Sequence, residues 1–96
     1  MKSSARTWLG DSKRHVDLKQ MLESQGYKCV YTGRRLEIGG NASIDHKIPR
    51  SRGGEDVIEN LQWVDWQVNR AKTDMTHDEF IVMCRLIVRR ADGDGL

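Results

Sequence analysis

The feature that most constrains this chain is the stretch SIDHKIPRSRGG, residues 43 to 54, where a strand pattern runs directly into a flexible turn. Ile44 and Ile48 lie on either side of polar residues, which is typical of a half-buried strand. Asp45 and His46 are adjacent at its centre, so their side chains should point to opposite faces. Each can therefore serve a different partner: a carboxylate is a hard oxygen ligand for Mg²⁺, and an imidazole is a general base near neutral pH.

Length and composition indicate one small domain with little stability to spare, because the chain has 96 residues. Hydrophobic residues make up 38% and charged residues 31%, a soluble composition that is too apolar and patterned for a wholly disordered chain. No apolar run approaches the roughly 20 residues that span a bilayer. The N-terminus MKSSARTWLG lacks an apolar signal core, so we expect a cytoplasmic protein with reduced cysteines.

The net charge of +2 does not by itself indicate a nucleic-acid partner, and on charge alone an ordinary solvated surface is the simpler explanation. Local clustering carries more information about a phosphate-binding face than the total does. The basic residues in or beside the central segment are Arg34, Arg35, Lys47, Arg50, Arg52, Arg70 and Lys72.

The order of the predicted elements favours an α+β fold. A helix of about a dozen residues should begin at Asp11 or Ser12 and end at Gly26. Residues 27–41 predict short strands with tight turns, 42–48 predict a further strand, and 59–64 predict a short strand or an extended turn. Residues 65–73 predict a short helix. Thr76 and Glu79 form a capping-box pattern before an amphipathic terminal helix, and loosely ordered ends are expected at about residues 1–8 and 91–96.

The second strand and the short helix carry further polar side chains that belong with Asp45 and His46. Asn69 and Lys72 are one helical turn apart and should project from the same face. Strand, loop and helix could fold back as a ββα unit in which Asp45 and Asn69 face one ion. Asn60, which precedes the second apolar run, is a further candidate.

The stretch IDHKIPRSRGGEDVIENLQWVDWQVNRAK resembles the HNH motif of the ββα-metal, or His-Me finger, endonucleases. The matching pattern is Asp-His-x-x-Pro, Gly-Gly, Asn-Leu and Asn-x-x-Lys in that order. His46 and Asn60 are fourteen residues apart, and Asn60 and Asn69 nine, which fits the family spacing in its Asn variant. The resemblance covers about residues 27–80, within a single domain spanning 1–96, and implies a ββα-metal core flanked by an N-terminal and a C-terminal helix.

The resemblance also implies a role for each motif residue. His46 would be the general base, Asp45 and Asn69 would hold one divalent metal, and Asn60 would tie down the loop that aims His46. Lys72 would assist near the phosphate or the waters of the metal. The metal expected is Mg²⁺, with Mn²⁺ as an alternative, and the partner expected is double-stranded DNA. The residues expected to contact DNA phosphates are Arg50, Arg52, Arg70 and Lys47, although Arg50 and Arg52 could instead be solvated or pair with Glu55 and Asp56.

One family feature is missing, because many relatives bind a structural zinc through two Cys-x-x-Cys pairs. Only Cys29 matches here, and Thr32, Asp65 and Val68 stand at the other three positions. One cysteine cannot form a four-ligand zinc site, so we predict no structural zinc. Apolar packing should fill that volume, from Trp63, Trp66 and Val68.

The resemblance therefore predicts a metal-dependent DNA endonuclease, acting as a monomer or homodimer, and a phage-encoded enzyme is the origin it favours. A partner protein could supply sequence specificity, since no appended recognition domain is evident. The competing hypothesis is a non-catalytic nucleic-acid-binding or adaptor module on the same scaffold. His15 and His77 lie outside the motif and are expected to be surface residues rather than ligands.

Overall fold

A computed structural model describes the backbone of residues 2–93 and the side chains of residues 13–93. The helices are α1 (Lys2–Ser24), α2 (Trp66–Lys72) and α3 (His77–Gly93), and the strands are β1 (Ala42–His46) and β2 (Leu61–Asp65). Single 3₁₀ turns at Arg50–Arg52 and Ile58–Asn60 lie in the connection between the strands. The α+β class is confirmed: β1, β2 and α2 form a ββα unit, with α1 before it and α3 after it.

The two strands form an antiparallel pair in which Asp45 lies opposite Gln62, Ile44 opposite Trp63, and His46 opposite Leu61. Because side chains alternate along a strand, Asp45 and His46 lie on opposite faces of this pair, as expected. The face with Asp45 meets α2, and the face with His46 lies towards α1.

The core lies between α1 and the strand pair. Leu18 and Leu22 of α1 pack with Trp63 and Val64 of β2, and all four are buried. The indole nitrogen of Trp63 donates a hydrogen bond to the Leu18 carbonyl at 2.8 Å, so this large side chain is buried with its one polar group satisfied. The predicted core position of Trp63 is thereby confirmed.

The prediction of strands in residues 27–41 was wrong, because the segment forms turns with one isolated bridge between Lys28 and Arg35. In this segment the side chain of Asn41 forms hydrogen bonds with backbone groups that a neighbouring strand would otherwise bond. Its amide donates to the Arg35 carbonyl at 2.9 Å and its oxygen accepts from the Glu37 amide at 2.9 Å. Such local side-chain bonds compete with sheet formation.

Both flanking helices are longer than the sequence predicted. The first helix already begins at Lys2 rather than Asp11, and the last continues to Gly93, although the predicted stop at Gly26 is confirmed by its left-handed backbone. The capping box is present, since Glu79 accepts from the Thr76 amide at 3.0 Å and Thr76 accepts from the Glu79 amide at 3.3 Å. Within the described part of the chain, no helix has the length and apolar character needed to cross a membrane.

The apolar side of α3 is only partly used. Phe80 is buried and meets Tyr31 edge-to-face, with ring centroids 5.1 Å apart. Farther along, Ile87 is 51% exposed and Val88 is 56% exposed. The helix extends beyond the small strand pair, so its second half has no surface of the core to cover.

Candidate active site

The adjacent Asp45 and His46 lie at the end of β1 in contrasting environments. Asp45 is 3% exposed, whereas the His46 side chain is 26% exposed. The register against β2 and the alternation of side chains produce this contrast, because one residue faces α2 and the other faces the solvent edge beside α1. A buried acid thus lies directly behind an accessible imidazole.

Each oxygen of the Asp45 carboxylate accepts a hydrogen bond from a protein side chain. Its Oδ1 accepts from Lys72 Nζ at 3.1 Å, and its Oδ2 accepts from Gln62 Nε2 at 2.9 Å. Gln62 also donates to the Tyr31 hydroxyl at 3.1 Å, and that hydroxyl is 2.8 Å from Nδ1 of His77. A chain of hydrogen bonds therefore connects the buried Asp45 carboxylate to His77. His77 is exposed, as expected, and its ring contacts the Tyr31 hydroxyl.

Lys72 lies in the interior with 0% exposure and not at a surface that phosphates could reach. Its ammonium donates to Asp45, to the His46 carbonyl at 3.0 Å and to the Lys47 carbonyl at 3.4 Å. An ammonium has three donors, so all of them are used. In this arrangement Lys72 connects the end of α2 to the end of β1, which differs from the expected position near the phosphate.

Asn69 links α2 to β1 one turn earlier. Its Nδ2 donates to Ser43 Oγ at 2.6 Å and to the Ile44 carbonyl at 3.0 Å. A carbonyl only accepts, so the nitrogen must be on that side and Oδ1 is the atom left for another partner.

The donors fit a hard divalent ion by chemistry, because Asp45 and Asn69 supply a carboxylate and an amide oxygen from neighbouring elements. Each oxygen of Asp45 accepts one hydrogen bond from a protein side chain and has capacity for another. Within residues 13–93, no group of three or more His, Cys, Asp and Glu side chains is arranged to hold a metal. Two protein ligands would therefore need water or substrate oxygens to complete the coordination shell.

Asn60 holds the loop that follows His46, which is the structural role expected for it. Its Oδ1 accepts from the Ile48 amide at 3.0 Å, and its Nδ2 donates to the Ile48 carbonyl at 3.0 Å and to the Glu55 carbonyl at 2.8 Å. The loop turns so sharply that a Cβ at Gly54 would overlap the Ile48 carbonyl, so only glycine fits there.

The imidazole of His46 contacts Asp56, which in turn contacts Arg14, and the sequence indicated neither contact. Asp56 Oδ1 lies 2.9 Å from His46 Nε2 and 2.8 Å from Nη2 of Arg14 on α1. The hydrogen bond with His46, followed by the one with Arg14, lowers the pKa of the Asp56 carboxyl below its usual value. No local pattern connects these residues, because Arg14 and Asp56 are 42 positions apart.

The basic residues of the expected DNA face are arranged unequally. Arg50 is exposed, and among the described side chains no carboxylate lies within ion-pair distance of it. Arg52 instead forms an ion pair with Glu79, a partner that neither interpretation of the sequence included. Lys47 Nζ donates to the Glu59 carbonyl at 3.2 Å. The Arg70 guanidinium lies 5.2 Å from the centre of the Trp66 ring.

The positions that hold zinc ligands in relatives are connected here by hydrogen bonds and packing. Cys29 is a free, buried thiol that accepts from the Asp65 amide at 3.3 Å. Burial raises the pKa of this thiol, but hydrogen bonds led by that with Thr32 outweigh the effect, and the net pKa is lowered. Val68 packs on the core as expected, whereas the core position predicted for Trp66 was wrong, because that ring is 42% exposed.

Residues 29–77 match the family model described as HNH endonuclease. This chain belongs to the HNH endonuclease family. Membership indicates a nuclease-type function on nucleic acid, and the matched range contains the whole ββα unit of the HNH protein. It begins after α1 and ends at the first residue of α3, so Arg14 lies outside it.

Proposed function

We propose that this HNH protein is a metal-dependent endonuclease that hydrolyses phosphodiester bonds of double-stranded DNA. The observation that carries the proposal is the accessible His46 imidazole, which lies between a buried carboxylate on one side and an anchored loop on the other. A module that only binds nucleic acid has no need for an accessible imidazole that directly follows a buried carboxylate in the strand.

His46 would remove a proton from the attacking water. With Nε2 directed at the Asp56 carboxylate, the proton of the neutral ring belongs on Nε2, and Nδ1 carries the lone pair that accepts the water proton. Asn60 would act indirectly. It fixes the loop from Ile48 to Glu55, and so holds the backbone that follows His46 in one conformation.

Asp45 and Asn69 would hold one divalent ion, Mg²⁺ or Mn²⁺. When bound, such an ion supplies a positive charge that stabilises the negative charge developing on the phosphate and the leaving oxygen. Lys72 would hold the Asp45 carboxylate in place through its hydrogen bond to Oδ1. The expected products have 5′-phosphate and 3′-hydroxyl ends, and one site would cut one strand at a time.

Nicking of a supercoiled plasmid tests this function directly. Purified protein with Mg²⁺ should convert supercoiled DNA to open circles, and excess EDTA should stop the conversion. Retention of DNA in a binding assay without any nicking in Mg²⁺ or Mn²⁺ would instead favour the non-catalytic nucleic-acid-binding module.

The unequal partners of Arg50 and Arg52 predict unequal contributions to DNA affinity. Each phosphate contact adds a slope of about −0.9 to log K against log salt on duplex DNA. Arg50→Ala should therefore flatten the slope by about one unit, similarly for all sequences, whereas Arg52→Ala should change it less because Arg52 is paired with Glu79. Fluorescence anisotropy on duplex DNA in Ca²⁺ measures both. Equal slopes in Arg50→Ala and wild type would show that Arg50 is an ordinary solvated residue.

A further inference from the structure

Three separate parts of the chain meet at the exposed edge of His46. The imidazole comes from the end of β1, Asp56 from the loop after Gly54, and Arg14 from α1. Arg14 makes two contacts with Asp56, from Nη2 to the carboxylate at 2.8 Å and from Nη1 to the backbone carbonyl at 3.4 Å. The paired contact holds both the side chain and the backbone of the same residue.

We propose that Asp56 is a positioning residue that fixes the ring orientation and tautomer of His46, and that Arg14 keeps Asp56 in place. The inference deepens the proposed function and rests on it for the catalytic role of His46. It assigns a task to α1, which lies outside the residues that match the family.

The chemistry of the three groups supports a single arrangement. An ionised carboxylate only accepts hydrogen bonds, so it selects the tautomer of His46 that has its proton on Nε2. A guanidinium only donates, so Arg14 Nη2 and the His46 Nε2–H can both donate to Asp56 Oδ1, which has two lone pairs to accept them. The nitrogen that faces away from Asp56, Nδ1, is then left as the basic atom.

The location of Asp56 explains why a second anchor is needed. Gly53 has a left-handed backbone, and the loop continues through Gly54 to reach Asp56. Asn60 fixes the carbonyl of Glu55, the residue before Asp56, but its hydrogen bonds are to Ile48 and Glu55 and not to the Asp56 side chain. Arg14 supplies that restraint from α1.

The contact is too exposed to be important for folding. The side chains of Arg14 and Asp56 are 38% and 39% exposed, and ion pairs in such positions contribute little to stability. Removing the Arg14–Asp56 ion pair should therefore change the orientation of the His46 ring, while the variants remain folded.

The first measurement is the tautomer of neutral His46, read from its two ring ¹⁵N shifts by NMR in protein without DNA. Wild type and Asp56→Asn should show the Nε2–H form, because the amide oxygen of Asn can still accept. Asp56→Ala should show a mixture of both tautomers. Glu55→Ala removes the same charge one residue earlier and should resemble wild type. This measurement does not depend on cleavage, so a wild-type protein that fails to cut DNA would contradict the proposed function alone.

The second measurement separates kcat from KM in plasmid nicking. Misplacing a catalytic group can cost up to about 100-fold, so kcat should fall by roughly that order in Asp56→Ala while KM changes little. Arg14→Ala should lower kcat less, and Arg14→Lys should recover part of the loss. An unchanged tautomer in Asp56→Ala would overturn the proposal, and so would a kcat equal to or above that of wild type.

Discussion

Replacing His46 by alanine should abolish cleavage while leaving DNA binding nearly intact. General-base catalysis contributes about 10²–10⁴-fold to a rate. The His77 imidazole is connected to Asp45 only through Tyr31 and Gln62, so it should not replace His46. The His46 side chain is partly exposed and contacts Asp56 at the surface, so its removal should not disturb the core. Single-turnover nicking gives the rate, and anisotropy in Ca²⁺ gives the affinity.

His15→Ala is the matched control, because this histidine is exposed on α1 and lies outside the motif. It should cleave and bind as wild type does. If His46→Ala lost binding as well as cleavage, and its thermal unfolding midpoint fell, His46 would be a structural residue and the proposed mechanism would be wrong.

The ββα unit was predictable because its signals are local. Alternation of apolar and polar residues located the first strand, a short apolar run located the second, and the pattern of residues 65–73 located α2. Asp65 caps that helix by accepting from the Gln67 amide at 2.8 Å. The turns of residues 27–41 were not predictable from β-propensity, because Asn41 provides bonds that a propensity does not include.

The contacts within the site were also predictable only where the sequence signal is local. The loop-holding role of Asn60 could be read from the motif, but the partners of Asp56 and Arg52 come from α1 and α3. Lysine is rarely buried without a partner, so the interior position of Lys72 could only emerge once α2 and β1 met around Asp45.

The buried ion pair leads to the second large expected effect, in which Lys72→Met destabilises the fold by about 3–5 kcal/mol. Methionine fills similar space but leaves the Asp45 carboxylate without its counter-charge, at 3% exposure. It also leaves the His46 and Lys47 carbonyls without this donor. Since small domains unfold at a cost of only about 5–15 kcal/mol, a large part of the stability would be lost. Urea unfolding followed by tryptophan fluorescence measures it.

Two variants distinguish the effect of leaving Asp45 without its counter-charge from the general effect of replacing a lysine by methionine. Lys19→Met on the exposed side of α1 should unfold within about 0.5 kcal/mol of wild type. Adding Asp45→Asn to Lys72→Met removes the uncompensated charge and should recover part of the stability. If Asp45 is also a metal ligand, Mg²⁺ should raise the unfolding midpoint of Lys72→Met more than that of wild type, because an ammonium and a divalent ion neutralise the same carboxylate. A Lys72→Met protein as stable as wild type without Mg²⁺ would mean that the ion pair does not hold β1 and α2 together.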